Sequence, residues 1–183
     1  MFRKIFFAIL LTALVGGCQK PPLFVEEHPG VRGQPPEILG YYAAKEIRPG
    51  EPWNVYLKAK DVDGDMKYIV VTLSGEGEGS SPTSEIWLRG ANRAECDGYI
   101  FMNTPPLGMT TLSIIGNLKV SFFIRDWAGG KSKTVTLPLV FNESAPPEEV
   151  PANWQEAANH ELGYISNTLL SVDQLGPGGR GWQ

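Results

Sequence analysis

Between residues 38 and 142 the sequence is a succession of short runs in which apolar and polar residues alternate, each broken by turn-forming residues. Trp53, Val55, Leu57 and Ala59 alternate with Asn54, Tyr56, Lys58 and Lys60, the period-2 pattern of a half-buried strand. Residues 67–73 (KYIVVTL) form a second run rich in β-branched side chains. Shorter runs follow at 85–89 and 98–102, then at 111–115 and 119–125 on either side of a Gly116-Asn117 turn. In 134–141, Val135, Leu137, Leu139 and Phe141 share one face, and Pro138 predicts that this strand is an edge strand or carries a bulge. With a first strand at 39–45, the spacing predicts seven or eight strands and an all-β, antiparallel β-sandwich. A chain that is 42% hydrophobic has enough apolar side chains to fill such a core.

The N-terminus has a different design. Arg3 and Lys4 precede an apolar run of eleven positions, 5–15, followed by Gly16, Gly17 and Cys18. A positive flank, a short apolar stretch and small residues make a secretory signal, and the run is too short for a spanning helix of about 20 residues. Val15-Gly16-Gly17-Cys18 resembles the lipobox of bacterial lipoproteins, with Val where Leu is commoner. The resemblance implies cleavage after residue 17 and lipidation of Cys18, which holds the chain on a membrane. Gln19 resembles the pattern of outer-membrane sorting, so the expected location is the cell envelope, at the outer membrane. Loss of Arg3 and Lys4 leaves 14 basic against 20 acidic side chains, an acidic balance that excludes a general nucleic-acid binder. Cys96 is then the only other thiol and is expected to be buried rather than paired with another chain. Residues 19–37, with five prolines, read as a tether reaching roughly 25 Å.

Two loops carry a second resemblance. The runs 59–65 (AKDVDGD) and 123–132 (FIRDWAGGKS) resemble those of bacterial immunoglobulin-like and cadherin-like modules. There the first marks the turn after an early strand and the second the final hairpin. The resemblance implies an immunoglobulin-like sandwich over 38–142. Residues 143–152 (ESAPPEEVPA) read as a Pro-rich linker. Beyond it, Trp154, Ala158, Leu162 and Ile165 fall at helical spacing, predicting a short C-terminal helix capped by Asn153 and a disordered tail.

The chemistry is sparse. Asp61, Asp63 and Asp65 are a calcium candidate, but their spacing fails the EF-hand pattern and a tight turn is the preferred reading. The Gly-rich run 75–81 lacks the Lys-Ser/Thr of a phosphate loop and reads as a hairpin loop. No Gly-x-Ser-x-Gly elbow and no haem-attachment Cys-x-x-Cys-His occurs, so neither an α/β-hydrolase nor a covalent haem is indicated. The expectation is therefore a non-catalytic, lipid-anchored binding or scaffold module with an envelope protein partner and no cofactor. Trp127, Trp154, Leu162 and Ile165 are its candidate partner-binding residues. An envelope enzyme or glycan-binding protein with an acidic and aromatic cleft is the alternative, and Trp87 and Trp127 would then meet acidic residues on one concave surface. An accessory subunit of a secretion, pilus or electron-transfer assembly is a third.

Overall fold

The computed structural model describes residues 33–75, 83–106 and 117–166, with only the backbone of Asn117. The signal segment, Cys18, most of the tether, the 76–82 loop, the expected strand at 111–115 and the tail all lie outside them.

The described residues form nine strands in two sheets. β1 (Glu37–Ala43), β3 (Pro52–Lys60), β6 (Glu95–Asn103) and β9 (Glu161–Tyr164) make one, in the order β1-β3-β6-β9. β2 (Glu46–Ile47), β4 (Met66–Gly75), β5 (Ser84–Trp87), β7 (Asn117–Asp126) and β8 (Val135–Phe141) make the other, ordered β2-β8-β7-β4-β5. The first strand thus changes sheets: β1 pairs antiparallel with β3, and β2 then pairs parallel with β8. Together with β3 beside β6 in one sheet and β8-β7-β4 in the other, this is the strand order of an immunoglobulin-like sandwich.

Alternation places the core. Trp53, Val55, Leu57 and Ala59 of β3 face Ile69, Val71 and Leu73 of β4 and Val120, Phe122 and Ile124 of β7 across one continuous apolar cluster. Burying each large side chain contributes about 1.5–3 kcal/mol. In β4 the register shifts between Met66 and Tyr68, so Met66 points inward although the strand beyond turns its odd-numbered residues to the core. The expected face of β8 is the one that packs, with Val135 and Leu139 buried and Leu137 and Phe141 against the cluster. Pro138 is in an edge position as anticipated, because β2 covers only Val140 and Phe141. Trp53 is in the core, its indole N–H donating to the Ala44 carbonyl at 2.7 Å. Cys96 is a free, buried thiol on the inward face of β6.

Three sequence expectations need correcting. The C-terminal helix is not formed: Ala152–Trp154 and Ala157–Asn159 are single 3₁₀ turns, and β9 pairs parallel with β6. A strand edge on β6 offers this segment both main-chain hydrogen bonds and apolar contact, which an isolated helix of thirteen residues lacks. The sandwich is consequently not wholly antiparallel. The 143–152 stretch is not a free linker either. It lies on the sandwich, with Ala145 buried, its carbonyl accepting from Arg48 Nε at 2.6 Å, and Asn54 Nδ2 donating to Glu148 Oε2 at 2.9 Å. Among the described residues no helix is long and apolar enough to cross a membrane.

Candidate functional site

Part of the outer face of the first sheet is covered by the chain itself, beside a groove of about 510 Å³ lined by Tyr56, Tyr99, Phe101 and Val150. Trp154 packs on Tyr56, ring centroids 6.5 Å apart, with Ala157 buried beside it and Tyr42 and Tyr99 flanking. Lys58 Nζ sits 5.5 Å over the Trp154 ring and pairs with Asp97 at 2.8 Å. Farther on, Ile165 is fully buried in the main core, Leu162 packs against that core, and the Ile165 amide donates to Phe101 O at 2.7 Å. Trp154 and Ile165 are therefore buried against their own sandwich, and Leu162 packs against its core while staying partly exposed. Trp127 is different and remains 38% exposed.

Trp127 belongs to an aromatic cluster at the outer side of the five-stranded sheet. In β5, Ile86 points inward, so Trp87 points out and is 49% exposed. Its ring lies 6.1 Å from that of Trp127 and 5.5 Å from that of Tyr68. Lys67 Nζ stands 4.2 Å above the Trp127 ring and 5.4 Å from the Trp87 ring, and the Arg93 guanidinium is 5.8 Å from Trp127. Cations over π-faces at these distances hold the rings electrostatically. Beside Trp87, a groove of about 460 Å³ is lined by Glu85, Arg89, Asn92, Leu162 and Tyr164. It runs between β5 and β9, so the C-terminal strand forms one of its walls.

The third grouping lies next to Trp127. In the β3–β4 loop, Asp61 Oδ1 accepts from the Asp63 amide at 2.8 Å, and Gly64 adopts φ +71°. This is the tight turn expected from the sequence. The two loops are joined by the Trp127 amide, which donates to Asp65 O at 3.1 Å. At the end of β7, Asp126 Oδ1 accepts from the Gly130 amide at 2.6 Å. A Cβ at Gly130 would overlap the Asp126 carboxylate and push it from its present place. Asp61, Asp65 and Asp126 bring carboxylate oxygens within 4.8 Å of one another. Asp61 is 4% and Asp126 2% exposed, and one oxygen of each of the three residues is buried without a hydrogen-bond partner. Burial, repulsion from Asp126, Asp61 and Asp63, and a hydrogen bond to Asp61 that the protonated form makes raise the Asp65 carboxyl above its ordinary value. Asp63 stands apart, its Oδ2 accepting from the Gln34 amide at 2.5 Å. The sequence candidate of Asp61, Asp63 and Asp65 thus has one member replaced: Asp126 takes the place of Asp63. The only signal for Asp126 was its position in the hairpin run 123–132, far from the other two in sequence.

His160 is structural, with Nδ1 2.9 Å from Asp97 O and Nε2 3.4 Å from Asn92 Nδ2. Burial pushes the Cys96 thiol up to about 12, which leaves it protonated and a poor nucleophile at neutral pH.

No family model and no curated protein sequence matches the chain. Among solved structures, it is similar to the PKD domain of an M14-like peptidase from a Thermoplasmatales archaeon, at 15% identity and a TM-score of 0.38. That likeness covers 60% of this chain and 97% of the other. At this level the fold assignment rests on strand order and register: the described residues form an immunoglobulin-like β-sandwich whose outermost strand in one sheet is supplied by the C-terminal segment.

Proposed function

We propose that this protein is a lipid-anchored binding module of the bacterial cell envelope, non-catalytic, that engages a protein partner through the Trp87–Trp127 face. The observation that carries the reading is the aromatic pair itself. Two tryptophans in mutual contact stay 49% and 38% exposed, while the other two described tryptophans, Trp53 and Trp154, are buried. Large aromatics held by neighbouring cations present rigid apolar area at low entropic cost, the composition of interface anchors. The lipobox ending at Cys18 supports the anchor, and the proline-rich stretch after it supports reach. Glycan binding is the second reading, favoured by the groove beside Trp87, which Glu85, Arg89 and Asn92 line together with Trp87 and Tyr164.

The test is crosslinked affinity capture from the native envelope with three versions of the full chain. The wild-type protein should fractionate with membranes and capture one stoichiometric protein. Cys18→Ser should leave the membrane fraction. Trp87→Ala with Trp127→Ala should remain on membranes and lose the partner. Undiminished capture by the double variant would reject this face, whereas absence of any protein partner together with binding of cell-wall oligosaccharides would favour the glycan reading.

A further inference from the structure

The loop end of the sandwich concentrates negative charge on two buried carboxylates and a third that is partly exposed. Asp61 and Asp126 are each more than nine-tenths buried, both have an oxygen that no group satisfies, and Asp65 adds a third. No ion pair reaches any of them among the described residues. Buried ionised carboxylates so close together are strongly unfavourable unless a cation or a shared proton lies among them. The backbone is already organised around the group. The Asp63 and Gly130 amides occupy one oxygen each of Asp61 and Asp126 and leave the other without a donor.

We infer that Asp61, Asp65 and Asp126 form a calcium-binding site that joins the β3–β4 loop to the β7–β8 turn. The ligand class follows from the donors. Carboxylate oxygens suit a hard cation, and the set holds no imidazole or thiolate that would select zinc or copper. Three carboxylates exceed the one or two with which proteins usually hold magnesium, whereas calcium accepts six to eight oxygens, the remainder here from backbone carbonyls or water. Asp63 lies outside the convergent set, exposed and turned to Gln34. The ion would fix the turn bearing Trp127, whose amide is already tied to Asp65, but the site stands independently of what the aromatic face binds.

The experiment uses the full chain in detergent, stripped with a chelator. Terbium is added as a probe whose emission is sensitised by nearby tryptophan, then displaced by calcium, and melting is followed in millimolar calcium or magnesium. Calcium should displace terbium and raise the melting temperature by several degrees, more than magnesium does. Asp126→Asn and Asp65→Asn should each weaken terbium binding by about tenfold or more, and Asp63→Asn should leave it unchanged. Asp65 is only partly buried, so its variant keeps the test valid if Asp126→Asn fails to fold. Terbium emission indifferent to calcium, no rise in melting temperature, or wild-type affinity in both Asp65→Asn and Asp126→Asn would overturn the assignment. A melting temperature raised by Asp65→Asn without any calcium response would show that the cluster is satisfied by a proton instead.

Discussion

Glu148 shows how one side chain on an apparently loose segment acquires a measurable role. Asn54 donates to Oε2, while Oε1 is buried without a partner. Burial raises the carboxyl above its ordinary value, repulsion from Glu51 adds to that, and the Asn54 amide opposes it. A folded-state value above the unfolded one means that protonation favours the folded chain. The contribution is present below the unfolded value of about 4.5 and is lost as pH rises through the folded value. Glu148→Gln should therefore raise the melting temperature at neutral pH, and the gain over wild type should shrink as the pH is lowered towards the unfolded value. Melts of the two proteins side by side read this directly; an equal difference at both pH values would contradict it. Residues whose role follows from alternation, such as Trp53 and Leu139, were legible in sequence because a strand fixes which side chains point inward. Glu148 was not, since its environment is made by Asn54 of a strand distant in sequence. The same holds for the acidic cluster. Its turn was legible from Asp61 to Asp65, but Asp126 reaches it only once β4 and β7 have paired.

At the level of elements, the C-terminal segment is the instructive case. Apolar residues at helical spacing were real contacts, yet the backbone that delivers them is two 3₁₀ turns and a strand. Trp154 and Ala157 meet the outer face of β3, and Ile165 enters the core from the end of β9, so two separate burial sites imitate one helical stripe. What permits this is a glycine on the partner strand. A Cβ on Gly98 would lie 2.5 Å from His160 O and 2.8 Å from Leu162 Cγ, leaving no room for β9 against β6. Gly98→Ala should displace β9 at a cost of about 1–3 kcal/mol while the remaining strands stay folded. Hydrogen exchange should show lost protection at the Tyr99 and Ile165 amides, which donate to His160 O and Phe101 O, with β4 and β7 unchanged. Full protection at both amides would mean that the segment is not held by this pairing. The main strands were legible because their patterns are local, whereas β2 and β9, of two and four residues, exist only through partners elsewhere.

For the whole molecule, the closed arrangement of the chain decides which surface is left for function. β9 extends one sheet at its edge and the 3₁₀ turns cover part of that sheet's outer face, whereas the exposed tryptophans lie on the other sheet. On the proposed function, that second face is the one the partner meets. The most direct measurement places a photo-crosslinking residue, in living cells, at Glu85, which shares the exposed side of β5 with Trp87. A second version carries it at Leu39 of β1, 56% exposed and on the opposite sheet. The proposed function predicts one discrete protein adduct from position 85 and none from position 39. An adduct from position 39 alone, or the same adducts from both, would contradict it.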